Sequence, residues 1–130
     1  MALLLAVLGM YRYTTPAISR DQPAVAVIEE AAAPEWPDVM TRADIDRALE
    51  LAGWPRWLWD EAASIAWCES TWRRWAWNES GAAGLWQVTP LWFARAGLSY
   101  SDWADPVVNA RAALNAYEYR GGWNEWVCNP

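Results

Sequence analysis

The chain has 130 residues, a net charge of −6 and 13 tryptophans, and all ten of its basic residues are arginine. An acidic chain without a run of basic residues excludes a protein that tracks nucleic-acid phosphates, because such proteins need clustered positive charge. Two cysteines and no histidine leave few ligands for a metal site, so we expect neither a metal nor a cofactor.

The first 40 residues differ in composition from the rest of the chain. Residues 2–10 are uncharged and apolar, but this run is too short for a standard membrane span and no basic segment precedes it. We interpret it as an export segment or a membrane anchor, the alternative being a short buried helix or strand. Residues 14–40 are rich in Pro, Ala and Glu and have no persistent period, which indicates a linker. The predicted folded domain is therefore 41–130.

Two helices are predicted at the start of that domain. Thr41 and Asp44 have the spacing of a capping box, and an apolar stripe follows as far as Gly53. A second helix is expected to start at Pro55 and to run to about residue 69. Its apolar positions share one face with an acidic residue: Leu58, Ala62, Ile65 and Glu69. The pattern therefore places Glu69 toward the core and Trp67 on the opposite side.

Two further helices follow a region without helical periodicity. Residues 71–83 are predicted to form a loop or the rim of a short hairpin, and residues 85–88 an extended segment. Thr89-Pro90 and Asp105-Pro106 are typical helix starts. The later helix is expected to present one apolar face and to end at Gly121-Gly122, and the residues of that face are Val107, Ala110, Leu114 and Tyr117.

The two cysteines, Cys68 and Cys128, lie either side of most of the later part of the domain. A disulfide between them would close a loop of roughly 60 residues and tie the C-terminus to the second helix, at about 4 kcal/mol in the chain-entropy model. The alternative is a pair of buried thiols in a reducing compartment.

The sequence Cys68-Glu69-Ser70 carries the candidate chemistry. A half-buried carboxyl group holds its proton to higher pH than an exposed one, and it can then donate that proton to a glycosidic oxygen. Tryptophans around a cleft would supply flat faces for sugar rings, and Trp72, Trp75, Trp77, Trp86 and Trp92 are the candidates. The alternative is a structural glutamate paired with Arg73 or Arg74.

Residues 62–128 resemble the lytic-transglycosylase branch of the lysozyme-like superfamily. The segments that carry the resemblance are 65–70 (IAWCES), 80–87 (SGAAGLWQ), 89–90 (TP), 105–113 (DPVVNARAA) and 121–128 (GGWNEWVC). The last segment is most similar to short actinobacterial or actinophage versions of the domain. The resemblance implies a mainly α fold of the α+β lysozyme-like kind. This would be a small helical domain with a short β element beside the cleft, closed by one disulfide.

Site residues are implied position by position. Glu69 corresponds to the catalytic acid and Ser70 to its hydroxyl neighbour. The cleft-lining segment corresponds to Gly84, Leu85, Trp86 and Gln87, with Gln87 the expected hydrogen bonder. In related domains a tyrosine of the late helix reaches the glutamate, so Tyr117 is the first candidate and Tyr119 the second. The segment 116–119 departs from the pattern of larger relatives, and for Asn109 we expect a structural role.

The implied reaction is cleavage of peptidoglycan glycan strands by a single acid, outside the cytoplasm, by a protein that we expect to be a monomer. A hydrolase with two carboxylates would need a second acid, for which Glu79, Asp105 and Glu118 are the options. Two alternatives are a lysozyme-type hydrolase and a weakly active wall-binding or virion module with the same fold. A third is an unrelated tryptophan-rich interaction domain.

Overall fold

The computed structural model describes residues 35–130, which contain four α-helices, two 3-10 turns and three isolated β-bridges. The helices are α1 (Arg42–Ala52), α2 (Trp59–Ser70), α3 (Pro90–Arg95) and α4 (Pro106–Arg120), and the 3-10 turns are Arg56–Leu58 and Tyr100–Asp102. Residues Trp36–Pro130 form one compact unit. The predicted mainly α fold with a small β element is confirmed. The proposed export segment, anchor and most of the linker lie outside the described residues.

Local capping signals explain where most helices begin and end. The Thr41 hydroxyl accepts from the Asp44 N–H at 3.2 Å and Asp44 Oδ2 accepts from the Thr41 N–H at 2.9 Å, which is the predicted capping box. Asp105 Oδ1 accepts from two N–H groups of the first turn of α4. Helix α1 ends at Gly53 in the left-handed conformation, as predicted. None of the described helices is long and apolar enough to cross a membrane.

The start of α2 differs from the prediction. Pro55 is extended and precedes the 3-10 turn, so the α-helix begins at Trp59 rather than at the proline. The predicted inward face is correct for Leu58, Ala62 and Ile65, each no more than 1% exposed. Trp67 lies on the outer side, where its ring packs edge-on against Trp72.

Helix α4 buries a different face from the one predicted. Val107, Leu114 and Tyr117 are only half-buried, whereas the most deeply buried residues are small apart from one asparagine and one proline. These residues are Pro106, Asn109, Ala110, Ala112, Ala113 and Ala116. The helix packs against both α1 and α3, and alanines allow that close approach. Periodicity in large apolar residues could not predict a face built from alanine.

Tryptophan indoles provide hydrogen bonds between elements that no sheet connects. Eight indole N–H groups donate within the described part of the chain, five of them to backbone carbonyls and three to carboxylates. The five are Trp54 to Ala110, Trp59 to Trp54, Trp72 to Ala63, Trp86 to Ala62 and Trp126 to Trp86. The three are Trp75 to Asp38, Trp92 to Glu125 and Trp123 to Glu61. Buried indoles usually find such a partner, and here the partners join separate elements.

Residues 84–87 form a turn rather than the predicted extended segment. The turn is closed by the bridge between Ala83 and Val88, whose backbone groups exchange two hydrogen bonds of 3.1 and 3.0 Å. Gly84 and Gln87 both have positive φ, at +79° and +47°. Gln87 is not a residue type that predicts this conformation, so sequence pattern alone missed the turn.

Candidate active site

Glu69 is the penultimate residue of α2 and is half-buried. The helix carries it inward because the preceding positions of its stripe pack in the core. Burial raises the pKa of the Glu69 carboxyl above its ordinary value, and the nearby Cys128 backbone N–H acts in the opposite direction. Neither Arg73 nor Arg74 forms an ion pair with Glu69 in the described structure, since Arg74 pairs with Asp38 and Arg73 donates to Thr71. A carboxyl in this state can carry a proton to a bound substrate.

The chain reverses sharply just after Glu69. Thr71 and Trp72 are consecutive residues with positive φ, at +52° and +58°. Together with Gln87, they are the three non-glycine residues in the left-handed region within residues 35–130. Such conformations cost on the order of 1 kcal/mol or more each and cluster at functional sites. Backbone strain is therefore concentrated at Gln87 and beside Glu69, the two residues expected to handle substrate.

Ser70 does not present its hydroxyl to a ligand. The residue is 6% exposed, and its Oγ donates to the carbonyl of Ala66 one turn earlier at 2.8 Å. Its role is to satisfy its own polar group inside the helix end. The expectation that Ser70 contacts substrate therefore finds no exposed hydroxyl in the structure.

Gly84 is required by its surroundings. A Cβ at this position would lie 2.2 Å from Asn109 Nδ2 and 2.6 Å from the carbonyl oxygen of Trp103, so no side chain fits. Asn109 is 1% exposed and holds the turn with its side chain. Its Oδ1 accepts from the Trp86 N–H, and its Nδ2 donates to the carbonyls of Ala83 and Trp103. The structural role expected for Asn109 is confirmed, although it lies at the centre of the buried face.

Leu85 and Trp86 are core residues with no exposed surface. The Trp86 indole reaches the carbonyl of Ala62 on α2 at 2.9 Å. The prediction that Leu85 and Trp86 line a cleft is therefore wrong. They bind α2 to the turn and thereby hold the neighbouring Gln87 in place.

Gln87 lies at a small crevice formed with the C-terminal tail. Its Nε2 donates to the carbonyls of Ala76 and Gly84, each at 3.0 Å, which fixes the side chain. The lining includes Glu125 and Trp126, which no sequence pattern indicated as site residues. The space is about 30 Å³, the size of one small polar group rather than of a sugar ring. Glu69 is not among the residues that line this crevice.

Neither candidate tyrosine is placed beside Glu69 by the described contacts. The Tyr117 ring packs against Trp54 and Trp123, with ring centroids 5.5 and 4.8 Å apart. Trp123 donates to Glu61, which precedes Glu69 by eight residues, or about 12 Å along a helix. Tyr119 is exposed and packs against Trp92 and Arg95. The described hydrogen bonds include none between Tyr117 and Glu69, and the contact between them stays a prediction.

Exposed aromatic rings follow Glu69 in the chain. Trp75 and Trp77 are each 55% exposed, in the loop between α2 and the 84–87 turn. The Trp75 ring is held by Arg74, whose guanidinium lies 4.7 Å from the ring centroid, and by its indole bond to Asp38. Trp92 is almost fully buried, at 2% exposure. Of the five tryptophans predicted to form cleft walls, Trp75 and Trp77 present accessible rings. Trp72 is half-buried, and Trp86 and Trp92 are buried.

The predicted disulfide joins Cys68 to Cys128, with Cα atoms 6.1 Å apart and a sequence separation of 60. It ties the tail to the residue immediately before Glu69. The expectation of a bridge rather than two thiols is confirmed.

The candidate second acids do not form a pair with Glu69. Asp105 is occupied as the cap of α4, and Glu79 and Glu118 are exposed. Glu125 is instead the carboxylate beside Gln87, where Arg120 and the Trp92 indole donate to it at 2.6 and 3.2 Å. In residues 35–130 no three His, Cys, Asp or Glu side chains converge as a metal site would require. The sequence signal from which Glu125 could have been found is the predicted disulfide, which brings the C-terminal residues to the end of α2.

Comparison with known proteins identifies the domain. The family described as the transglycosylase SLT domain matches residues 50–122, which is more than half of the chain. The match begins in α1 and extends past the end of α4, and it includes both Glu69 and Gln87. No curated protein and no solved structure matches the chain. The chain belongs to the transglycosylase SLT domain family.

Proposed function

We propose that this protein is a peptidoglycan lytic transglycosylase in which Glu69 is the single catalytic acid and base. The observation that carries the proposal is the half-buried Glu69, whose pKa is raised by burial at the end of a core-packed helix. Its position matches that of the acid in the resembled family. The substrate is the β-1,4 bond between N-acetylmuramic acid and N-acetylglucosamine.

The reaction requires two proton transfers by one carboxyl group. Protonated Glu69 donates to the glycosidic oxygen, the C1–O bond breaks, and an oxocarbenium-like state forms on the muramic acid. The 6-hydroxyl of the same sugar then attacks C1 while the Glu69 carboxylate takes its proton. The product is a 1,6-anhydro end, and no water is consumed. Burial favours the protonated start of this cycle because it disfavours the charged form.

Binding would use the exposed aromatic rings and the fixed amide. Trp75 and Trp77 offer flat apolar faces to sugar rings, and Gln87 lies on the turn that Asn109 and Gly84 hold rigid. The disulfide supports action outside the cytoplasm, since such bridges persist in oxidising compartments. Peptidoglycan is found there as well.

The test is digestion of purified peptidoglycan by the wild type and by Glu69→Gln, with mass spectrometry of the fragments. Anhydro-ended fragments are expected from the wild type, and their release should fall by at least about a hundredfold in the variant. Glu79→Gln serves as the matched control because that carboxylate is exposed. Equal release from wild type and Glu69→Gln would remove Glu69 from the catalytic role. No release from the wild type would favour a wall-binding module.

A lysozyme-type hydrolase is the second candidate, favoured by the position of Glu125 beside Gln87. A hydrolase that holds a second carboxylate across the bond would lose activity in Glu125→Gln and would yield reducing ends. The single-acid mechanism predicts anhydro ends, and a loss in that variant smaller than in Glu69→Gln. The two readouts together separate the candidates.

A further inference from the structure

The C-terminal tail, residues 123–128, is firmly docked on the helical unit. The Trp123 indole donates to Glu61 on α2 at 3.0 Å, and the Trp126 indole donates to the carbonyl of Trp86 at 2.7 Å. Both rings are buried, and they pack against each other with centroids 5.0 Å apart. The tail is therefore part of the core and also covers α2 and the 84–87 turn.

The same tail touches both parts of the candidate site. Glu125 and Trp126 line the crevice at Gln87, while Cys128 is bonded to the residue before Glu69. Residues 126 and 128 are two positions apart, a distance of roughly 7 Å along an extended chain. The backbone N–H of Cys128 acts against the rise in the pKa of the Glu69 carboxyl, so the tail lies close to that group. A short, covalently held segment thus connects the expected acid with the expected hydrogen bonder.

Glu69 has little other support in the described contacts. It is one residue from the end of α2, where Thr71 turns into the left-handed region, and helix ends fray. A glutamate side chain also has three rotatable bonds to order. The bridge restrains the backbone on one side of Glu69.

We propose that the Cys68–Cys128 bridge and the tail that it holds form a positioning element for Glu69, so that turnover depends on the oxidised bridge. The inference rests on the proposed function of Glu69. Cys68 is exposed, so a dithiol can reach it. One thiolate of the dithiol attacks one sulfur of the bridge and forms a mixed disulfide with that cysteine. The second thiol of the dithiol then attacks the mixed disulfide and releases the cysteine. The protein S–S bond breaks, two cysteine thiols form, and the dithiol becomes a cyclic disulfide.

The expected effect is on the rate of the chemical step. A misplacement of about 1 Å can cost on the order of a hundredfold in rate, so kcat should fall about 10- to 100-fold when the bridge opens. KM should change by less than about threefold, since the hydrogen bonds of Gln87 to Ala76 and Gly84 do not pass through the bridge. A purely structural bridge would lower stability without this split.

The experiment measures initial rates on purified soluble glycan strands for the oxidised wild type, the dithiol-reduced wild type and C68S/C128S. Circular dichroism fixes a temperature at which all three are folded, and reoxidation of the reduced wild type should restore kcat. Thr41→Ala is the matched control, since it loses the capping box of α1 but leaves the tail and the bridge intact. It should lose stability and keep kcat. Trp126→Phe keeps the bridge and loosens the tail at Trp86, so its kcat should fall several-fold even if the double variant unfolds.

Three outcomes would overturn the positioning role, and a fourth would overturn the proposed function. Folded reduced protein that keeps the oxidised kcat would overturn the positioning role, as would an unchanged kcat in Trp126→Phe. A fall of equal size in Thr41→Ala would also overturn it, because general loosening would then explain the effect. An oxidised wild type that cleaves nothing would instead overturn the proposed function.

Discussion

At the scale of single residues, Gly84 connects the fold to the candidate site. Its positive φ and the contacts that a Cβ would make with Asn109 and Trp103 are independent penalties. The left-handed conformation costs a non-glycine residue about 1–2 kcal/mol, and overpacking adds about 1–3 kcal/mol.

We expect Gly84→Ala to lower the free energy of unfolding by about 3 kcal/mol or more, measured by urea denaturation. Gly53→Ala is the matched control, since Gly53 has φ +88° but no neighbouring atom within 4 Å of an added Cβ. It should cost only about 1 kcal/mol. Equal losses of unfolding free energy in the two variants would show that the clash of an added Cβ with Asn109 adds nothing to the cost.

Glu69 gives a pH dependence whose sign follows from its environment. The pKa of Glu69 is raised in the folded state, so the folded protein binds this proton more tightly than the unfolded chain does. The contribution of Glu69 to stability is therefore greatest below the ordinary value of 4.5, and it falls as the pH rises from there through the folded-state pKa. Glutamine does not titrate, so the Glu69→Gln variant lacks this contribution.

The wild type should accordingly lose stability relative to Glu69→Gln as the pH is raised from about 4 to about 7. Urea unfolding of both proteins across this range measures the difference directly. A difference that grows in favour of the wild type with rising pH would mean that Glu69 is stabilised as a carboxylate. Such a group would be a poor resting acid.

At the scale of elements, two threonines at helix starts differ in a testable way. Thr41 takes part in a capping box on α1, whereas Thr89 makes no side-chain hydrogen bond at the start of α3. Thr41→Ala should cost about 1 kcal/mol of stability, and Thr89→Ala less than about 0.5 kcal/mol. Thermal unfolding of the two variants makes the comparison. A larger loss at Thr89 would contradict the assignment of the cap.

The elements also show which parts of the fold can be predicted from sequence. Helix starts at Thr41 and Asp105 and a stop at Gly53 follow from groups a few residues apart, so the sequence alone was enough to find them. The turn at Gln87 depends on Asn109, which is 22 residues later in the chain and reaches the Trp86 N–H. No local pattern contains that bond, and the segment therefore reads as extended.

The site could be predicted in part, for the same physical reason. Glu69 lies on a regular helix, so wheel geometry correctly gave its inward direction. Tyr117 is only half-buried because α4 buries alanines, which turns its large residues toward the edges of the interface. The contribution of Glu125 and Trp126 depends on how the tail docks, and a disulfide prediction fixes only one of its ends.

At the scale of the whole molecule, the helices of residues 35–130 are held together without a sheet among those residues. The described part has three isolated β-bridges, and indole donors supply hydrogen bonds between distant segments. Trp54, Trp86 and Trp126 donate at buried positions to carbonyls 56, 24 and 40 residues away in sequence. Phenylalanine could fill much of the same space but could not donate such a bond. Many of the tryptophans thus set the relative placement of elements as well as filling the core.

Exchange of these indole protons with solvent also measures how often the structure around each of them opens. A hydrogen-bonded, buried N–H exchanges with solvent deuterium only when the structure around it opens. In protein labelled with ¹⁵N-tryptophan, we expect the Trp86 and Trp54 signals to persist longest in D₂O and the signal of Trp57, which is 77% exposed, to vanish first. Equal lifetimes for Trp86 and Trp57 would contradict the assignment. The exchange rate of the Trp126 indole proton then measures the opening of the tail, separately from the opening of the helical core.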